Sequence, residues 1–275
     1  MKPTPKSLII MQNRLEYAVE IAREAGKLTL EYFNHPNLVV ERKNDRTPVT
    51  VADRGAELLL RERIAERFAD DAILGEEFPE KEGDSGFRWI LDPIDGTKSF
   101  IHGVPIYSTL IGVEQDGEPV LGVIRLPALD ETVWAMRGEG AWHESPRFKT
   151  PQRTQVSPCQ KLEEGLFLTS SVTAFENMGR DGALREISRK MLLTRTWGDA
   201  YGYYLVATGR AEVMIDPILS LWDAAPLLTI LTEAGGRFSD WQGSPTINGE
   251  EAVASNGLLH NEIMAITAQF PKKVF

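Results

Sequence analysis

Trp89-Ile90-Leu91-Asp92-Pro93-Ile94-Asp95-Gly96-Thr97 decides the reading of this chain. Ile90 and Leu91 form a short apolar run that reads as a buried strand, and the strand ends at once in two carboxylates with a Pro and a Gly that force a turn. Packing gives no reason for such an ending, because a buried charge is costly unless it is paired or coordinates a cation. Two neighbouring carboxylates also repel each other unless a cation neutralises them. A metal ion resolves both difficulties, with Asp92 and Asp95 as ligands and the Ile94 carbonyl aimed at the ion by the turn. The all-oxygen donor set suits Mg²⁺ better than zinc. Gly96 lets backbone N–H groups approach an anion, and Thr97 adds a hydroxyl for water. Together these are the parts of a phosphoryl-hydrolysis site.

Outward from this stretch, further acids stand at element ends. Glu76 follows the strand Ala72-Ile73-Leu74-Gly75 and reads either as a ligand or as a solvated loop residue. Asp223, in Trp222-Asp223-Ala224-Ala225, opens a helix and reads either as a ligand or as a helix cap. Asp53, in the first turn of a helix that starts near Thr50, favours the helix dipole on its own.

The 275 residues are 42% hydrophobic, enough for a large core. With 30 Lys and Arg against 40 Asp and Glu, the net charge of −10 argues against a nucleic-acid polymer as partner. Cys159 is the one cysteine, so an intrachain disulfide is excluded. The apolar patch Ser7 to Met11, after Met1 to Lys6, is too short for a signal-peptide core or a membrane span, and the expectation is a soluble cytoplasmic protein. Helical periodicity covers about 11–33, a helix from Thr50 to about 68, 173–191, 198–208, 221–234 and 258–270. Strand patterns fall at 38–40, 72–75, 107–114, 120–126, 132–136, 166–168, 211–215 and 252–254. Alternating helices and strands without repeats imply mixed layers. The polar, Pro-containing stretch Glu144 to Lys161 divides the chain into an N-terminal α+β half, 1–145, with most of the acids, and a C-terminal α/β half, 146–275, with Asp223.

These motifs, in this order, resemble the Mg²⁺-dependent inositol monophosphatase superfamily: Thr50-x-x-Asp53, Gly75-Glu76-Glu77, Asp92 to Thr97, Trp222-Asp223-x-Ala225 and Glu233-Ala234-Gly235-Gly236. The resemblance spans nearly the whole chain. It implies an α+β fold, a layered α-β-α-β-α sandwich, usually as a homodimer. It implies two or three Mg²⁺ per site, held by Glu76, Asp92, the Ile94 carbonyl, Asp95 and Asp223. Thr97 with Asp53 would position and deprotonate the attacking water, and the Gly96 and Thr97 backbone would bind phosphate of a small phosphomonoester. The family motif has Gly where this chain has Pro226, a position expected in the first turn of a helix, where Pro is tolerated.

Trp197-Gly198-Asp199-Ala200-Tyr201-Gly202-Tyr203 and Leu219 to Asp223 resemble the histidinol-phosphatase branch, whose substrate carries an ammonium and an imidazole. A pocket for it should offer carboxylate and aromatic faces. Asp199 is the first candidate for that contact and Asp216 the second. Asp199 also reads as a helix N-cap, Asp216 as the end of a strand, and Tyr201, Tyr203 and Tyr204 as core. The competing readings are an inositol-1-phosphatase, a broader sugar or nucleotide 3′-phosphatase, and a catalytically silent binding protein.

Overall fold

Asp92 and Asp95 sit at the end of the second strand of a seven-stranded sheet. The computed structural model describes residues 5–43 and 45–271. Expectations for Met1 to Thr4 and for Asn44 lie outside the described residues. The chain opens with helix α1 (Pro5–Tyr32), the short pair β1 (Val40–Arg42) and β2 (Pro48–Thr50), and helix α2 (Val51–Arg67). The strand expected at 38–40 is displaced to 40–42, where it pairs antiparallel with β2.

The first sheet then forms in strict chain order: β3 (Ala72–Gly75), β4 (Phe87–Asp95), β5 (Ser108–Gln115), β6 (Glu118–Leu126), β7 (Glu131–Met136), β8 (Gly140–Glu144) and β9 (Gln152–Thr154). Helix α3 (Thr97–Ile101) interrupts it after β4. Only β3–β4 is parallel; the rest is an antiparallel meander. Both faces are apolar because both are covered. Trp89, Leu91, Leu121 and Val123 pack under α1 and α2. Ile90, Ile124, Leu126 and Val133 face the other way, as the two-residue period of a strand requires.

The remaining chain builds β10 (Leu166–Leu168), α4 (Val172–Asn177), α5 (Asp181–Lys190), β11 (Leu193–Arg195), α6 (Ala200–Ala207), β12 (Val213–Asp216), α7 (Leu221–Ala224), α8 (Leu227–Glu233), β13 (Arg237–Ser239), β14 (Ala252–Ser255) and α9 (His260–Thr267). The second sheet runs β11-β10-β12-β14-β13. Helices α6 and α8 lie between the sheets, sharing one core with Ile124 and Val133 on one side and Met214 and Ala254 on the other. Helices α5 and α9 cover the outer face over Phe167, Val213 and Val253. The layers are therefore α-β-α-β-α.

Two expected helices are broken. The stretch 173–191 splits at Gly179, whose φ of +66° leaves the helical region. The stretch 221–234 splits at Pro226, which has no N–H to continue the α7 ladder and instead precedes α8.

Candidate active site

In a regular strand, residues three apart point to opposite faces. Asp92 and Asp95 nevertheless meet, because β4 carries a bulge between them. Asp92 pairs with Leu110 and Asp95 with Ser108, so one extra residue is inserted on β4. Pro93 supplies the defect, since it has no N–H for the ladder, and its carbonyl accepts the Thr109 hydroxyl at 2.9 Å. The sequence expectation of a strand ending near Asp92 is thus corrected: the strand runs on through the bulge to Asp95.

Asp92, Asp95 and Asp223 bring carboxylate oxygens within 4.8 Å of one another. That span suits one hard cation with ligands about 2.0–2.6 Å away. Each carboxylate is also oriented by the backbone. Asp92 accepts the Ile94 N–H at 3.0 Å. Asp95 Oδ2 accepts the Ser108 hydroxyl and the Ala200 N–H, both at 2.8 Å, and so caps α6 from a different sheet. Asp223 occupies the third position of α7 and accepts the Ser220 N–H at 3.0 Å. The cap reading and the site reading of Asp223 are therefore both realised in the structure.

Burial and mutual repulsion push Asp92 and Asp95 well above the usual carboxylate range. Burial lifts Asp223 to about 6, and the closeness of Asp223 adds to the rise of Asp92. A divalent cation fits this cluster chemically, because it discharges the repulsion among the three carboxylates.

Glu76 leaves β3 beside the cluster, its N–H bonded to the Leu91 carbonyl at 3.2 Å. Burial raises it to about 7, and the charges of Glu77 and Asp223 add to the rise. Its carboxylate and that of Glu77 each accept from Lys43 Nζ at 2.6 Å. Sequence reading placed Lys43 only in a polar loop; nothing local ties it to acids more than thirty positions away.

Asp53 stands in the capping box of α2, where its Oδ2 accepts the Thr50 N–H at 2.7 Å and the Thr50 hydroxyl at 2.6 Å. Its Oδ1 faces the Thr97 hydroxyl at 3.4 Å, and that hydroxyl also reaches the Ile94 carbonyl at 3.1 Å. Burial raises Asp53. Gly96 has φ +77°, and a Cβ there would lie 2.8 Å from Asp199 Oδ2, so only glycine joins β4 to α3 here.

Beside the acids lies a cleft of about 590 Å³ lined by Lys98, Ser99, Ser170, Asp199, Asp216 and Ile218, among others. Asp199 precedes α6, but its side chain makes no cap; Asp95 does that work. Asp199 as a whole is half-buried, but its carboxylate is buried, which raises it above the usual carboxylate range, and it lies near Lys98 and Ser99. Its φ of +54° is strained for a residue with a side chain. Asp216 is held by four donors: the Thr169 and Ser170 hydroxyls, the Ser170 N–H and the Tyr203 hydroxyl. The Ser170 oxygen in turn accepts the Asp199 N–H at 2.8 Å. Tyr203 and Tyr204 are fully buried, and Tyr204 turns to Glu131 and His143. The tyrosines are core, and the aromatic lining expected from them is absent from the residues lining this cleft.

An α+β fold of five layers, α-β-α-β-α, with a buried carboxylate centre at one sheet's end defines a metal-dependent class of protein. Residues 10–272 match the inositol monophosphatase family, to which the chain belongs. It is 43% identical to the histidinol-phosphatase of Chlorobaculum parvum over 91% of this chain and 95% of that one. It is 37% identical to the histidinol-phosphatase of Streptomyces coelicolor over 93% and 97% respectively. The structure of the Thermotoga maritima IMPase superposes with a TM-score of 0.83 at 30% identity, covering 94% of this chain and 98% of that one.

Proposed function

We propose that this protein is a Mg²⁺-dependent histidinol-phosphatase that converts L-histidinol phosphate and water to L-histidinol and phosphate in histidine biosynthesis. The observation that carries the substrate choice is Asp199: a residue of strained backbone that puts a buried carboxylate on the wall of a cleft beside the acid cluster. The likeness to two histidinol-phosphatases over nearly the whole chain supports it. An ammonium or imidazolium group is the natural partner of such a carboxylate.

Asp92, Asp95, Asp223, Glu76 and the Ile94 carbonyl would hold two or three Mg²⁺. The metal supplies Lewis-acid neutralisation of phosphate and leaving-group charge. Thr97 orients the attacking water and relays its proton: the water proton passes to the Thr97 oxygen as the Thr97 hydroxyl proton passes to Asp53 Oδ1, while Thr50 fixes the other Asp53 oxygen. The Gly96 and Thr97 backbone faces the phosphate. Asp216 serves the substrate from behind, through Ser170 and the Asp199 backbone. The same reading carries a cytoplasmic homodimer. Among the described residues no helix is long and apolar enough to cross a membrane.

The test is phosphate release from histidinol phosphate, inositol-1-phosphate and adenosine 3′,5′-bisphosphate, with Mg²⁺ and with a chelator. A chelator-sensitive preference for histidinol phosphate is expected. A preference for inositol-1-phosphate would discard the role of Asp199 and keep the metal chemistry; no Mg²⁺-dependent release would leave a binding protein.

A further inference from the structure

Glu57 is a fully buried carboxylate outside the acid cluster. It lies on α2 one turn beyond Asp53, and Arg61 lies one turn beyond Glu57, so the three share a face of the helix. Each touches a different part of the site's frame. Asp53 faces Thr97. Glu57 Oε2 accepts the Glu77 N–H at 2.7 Å, and Oε1 accepts Arg61 Nε at 2.7 Å. The far end of the Arg61 guanidinium donates to the Phe78 carbonyl at 2.9 Å. The turn 76–78 is thus gripped on both sides by one helix face.

The grip is built into the sequence of β3 as well. A Cβ on Gly75 would lie 2.1 Å from Glu57 Oε1, so glycine at the end of the strand makes the room in which the carboxylate sits. A buried carboxylate with an ion-pair partner and a backbone donor is costly to assemble, and an apolar residue would fill the same space more cheaply. What an apolar residue would not do is fix the backbone immediately after Glu76.

We propose that Glu57, locked by Arg61, is a positioning residue for Glu76: by holding the Glu77 N–H it sets the turn that presents the Glu76 carboxylate to the metal. The inference rests on the assignment of Glu76 as a ligand. Groups that orient a ligand typically change metal affinity by roughly 10–100-fold when removed.

The experiment is Mn²⁺ binding to the metal-free full chain, followed by calorimetry and by the loss of the free-ion paramagnetic resonance signal. Thermal unfolding is measured alongside. Glu57→Gln keeps the volume and one acceptor but loses the charge that Arg61 grips; Glu57→Ala loses both. Weaker Mn²⁺ binding is expected, by roughly 10-fold for Gln and toward 100-fold for Ala. Asp71→Asn serves as the comparison. Asp71 is an equally buried carboxylate, bonded to Arg14, Ser85 and Trp89 at the other end of β3, and its loss should lower the melting temperature without moving Mn²⁺ affinity. In a Glu76→Gln background, Glu57→Gln should add little, because its effect runs through Glu76. A folded Glu57→Gln protein with wild-type Mn²⁺ affinity would overturn the inference and leave the metal reading intact. So would an undiminished loss in the Glu76→Gln background. A wild-type protein that took up no Mn²⁺ would overturn both together.

Discussion

At the scale of the residue, Asp95 concentrates the argument. Its position on the same side as Asp92 depends on one inserted residue, and one oxygen caps a helix of another layer while the carboxylate faces two other aspartates. Asp95→Asn keeps an oxygen for the Ser108 hydroxyl and the Ala200 N–H but removes the charge. Turnover should fall roughly 100-fold or more with little change in the melting temperature of the metal-free protein; near-normal turnover would show that Asp95 holds no metal. Asp199→Asn tests substrate choice separately, since Asn tolerates positive φ about as well as Asp. It should raise KM for histidinol phosphate several-fold and leave inositol-1-phosphate hydrolysis unchanged. An equal loss on both esters would mark Asp199 as a backbone support. The acids themselves were legible in the sequence because each interrupts an apolar run. How Asp92 and Asp95 come to one side was not, because Pro93 reads equally as a turn and as a bulge.

At the scale of the element, α7 is only four residues long and cannot place Asp223 by its own stability. It is seated instead on a dent in the first sheet. Gly112 and Gly122 are cross-strand partners on β5 and β6. A Cβ on Gly112 would lie 2.5 Å from the Ala225 side chain, and one on Gly122 would lie 2.3 Å from the Pro226 carbonyl oxygen. Gly122→Ala should therefore lift the α7–α8 elbow, costing about 1–3 kcal/mol of stability. It should also weaken Mn²⁺ binding through Asp223. Lower stability with unchanged binding would show that the seat does not aim Asp223. Thin helices of this kind explain where sequence reading erred. Periodicity carried one helix across Gly179 and another across Pro226, because the apolar pattern continues through both breaks. The Asp53, Glu57 and Arg61 stripe had a visible i, i+4 spacing, but on a surface helix that spacing signals an exposed ion pair. Only the packing of α2 over Gly75 turns it inward.

At the scale of the whole molecule, the layers explain why the site is acidic yet folds. Glu76 and Asp92 come from the ends of the two parallel strands of the first sheet, whereas Asp223 comes from the helical layer between the sheets and Asp95 reaches into that layer to cap α6. A cation among them ties the first sheet to the middle layer, and a ligand that binds only the native state stabilises it by about 2.7 kcal/mol at a hundred times its dissociation constant. Without the cation the same packing is a liability that pH reveals. Burial raises Glu76 from 4.5 to about 7 and Asp223 from 3.8 to about 6, so in that window the folded chain binds more protons than the unfolded one. The sign follows: the stability these two carboxylates lend the metal-free protein is fully present below their ordinary values and is lost as pH rises from there through 6 and 7. Metal binding needs the deprotonated forms, so its stabilisation grows over the same interval. Melting temperatures from pH 4.5 to 7.5 should fall with pH in a chelator. With Mg²⁺ they should fall less or not at all, so that the two curves separate as pH rises. Parallel curves would mean that the raised carboxylates are not the groups that bind the cation.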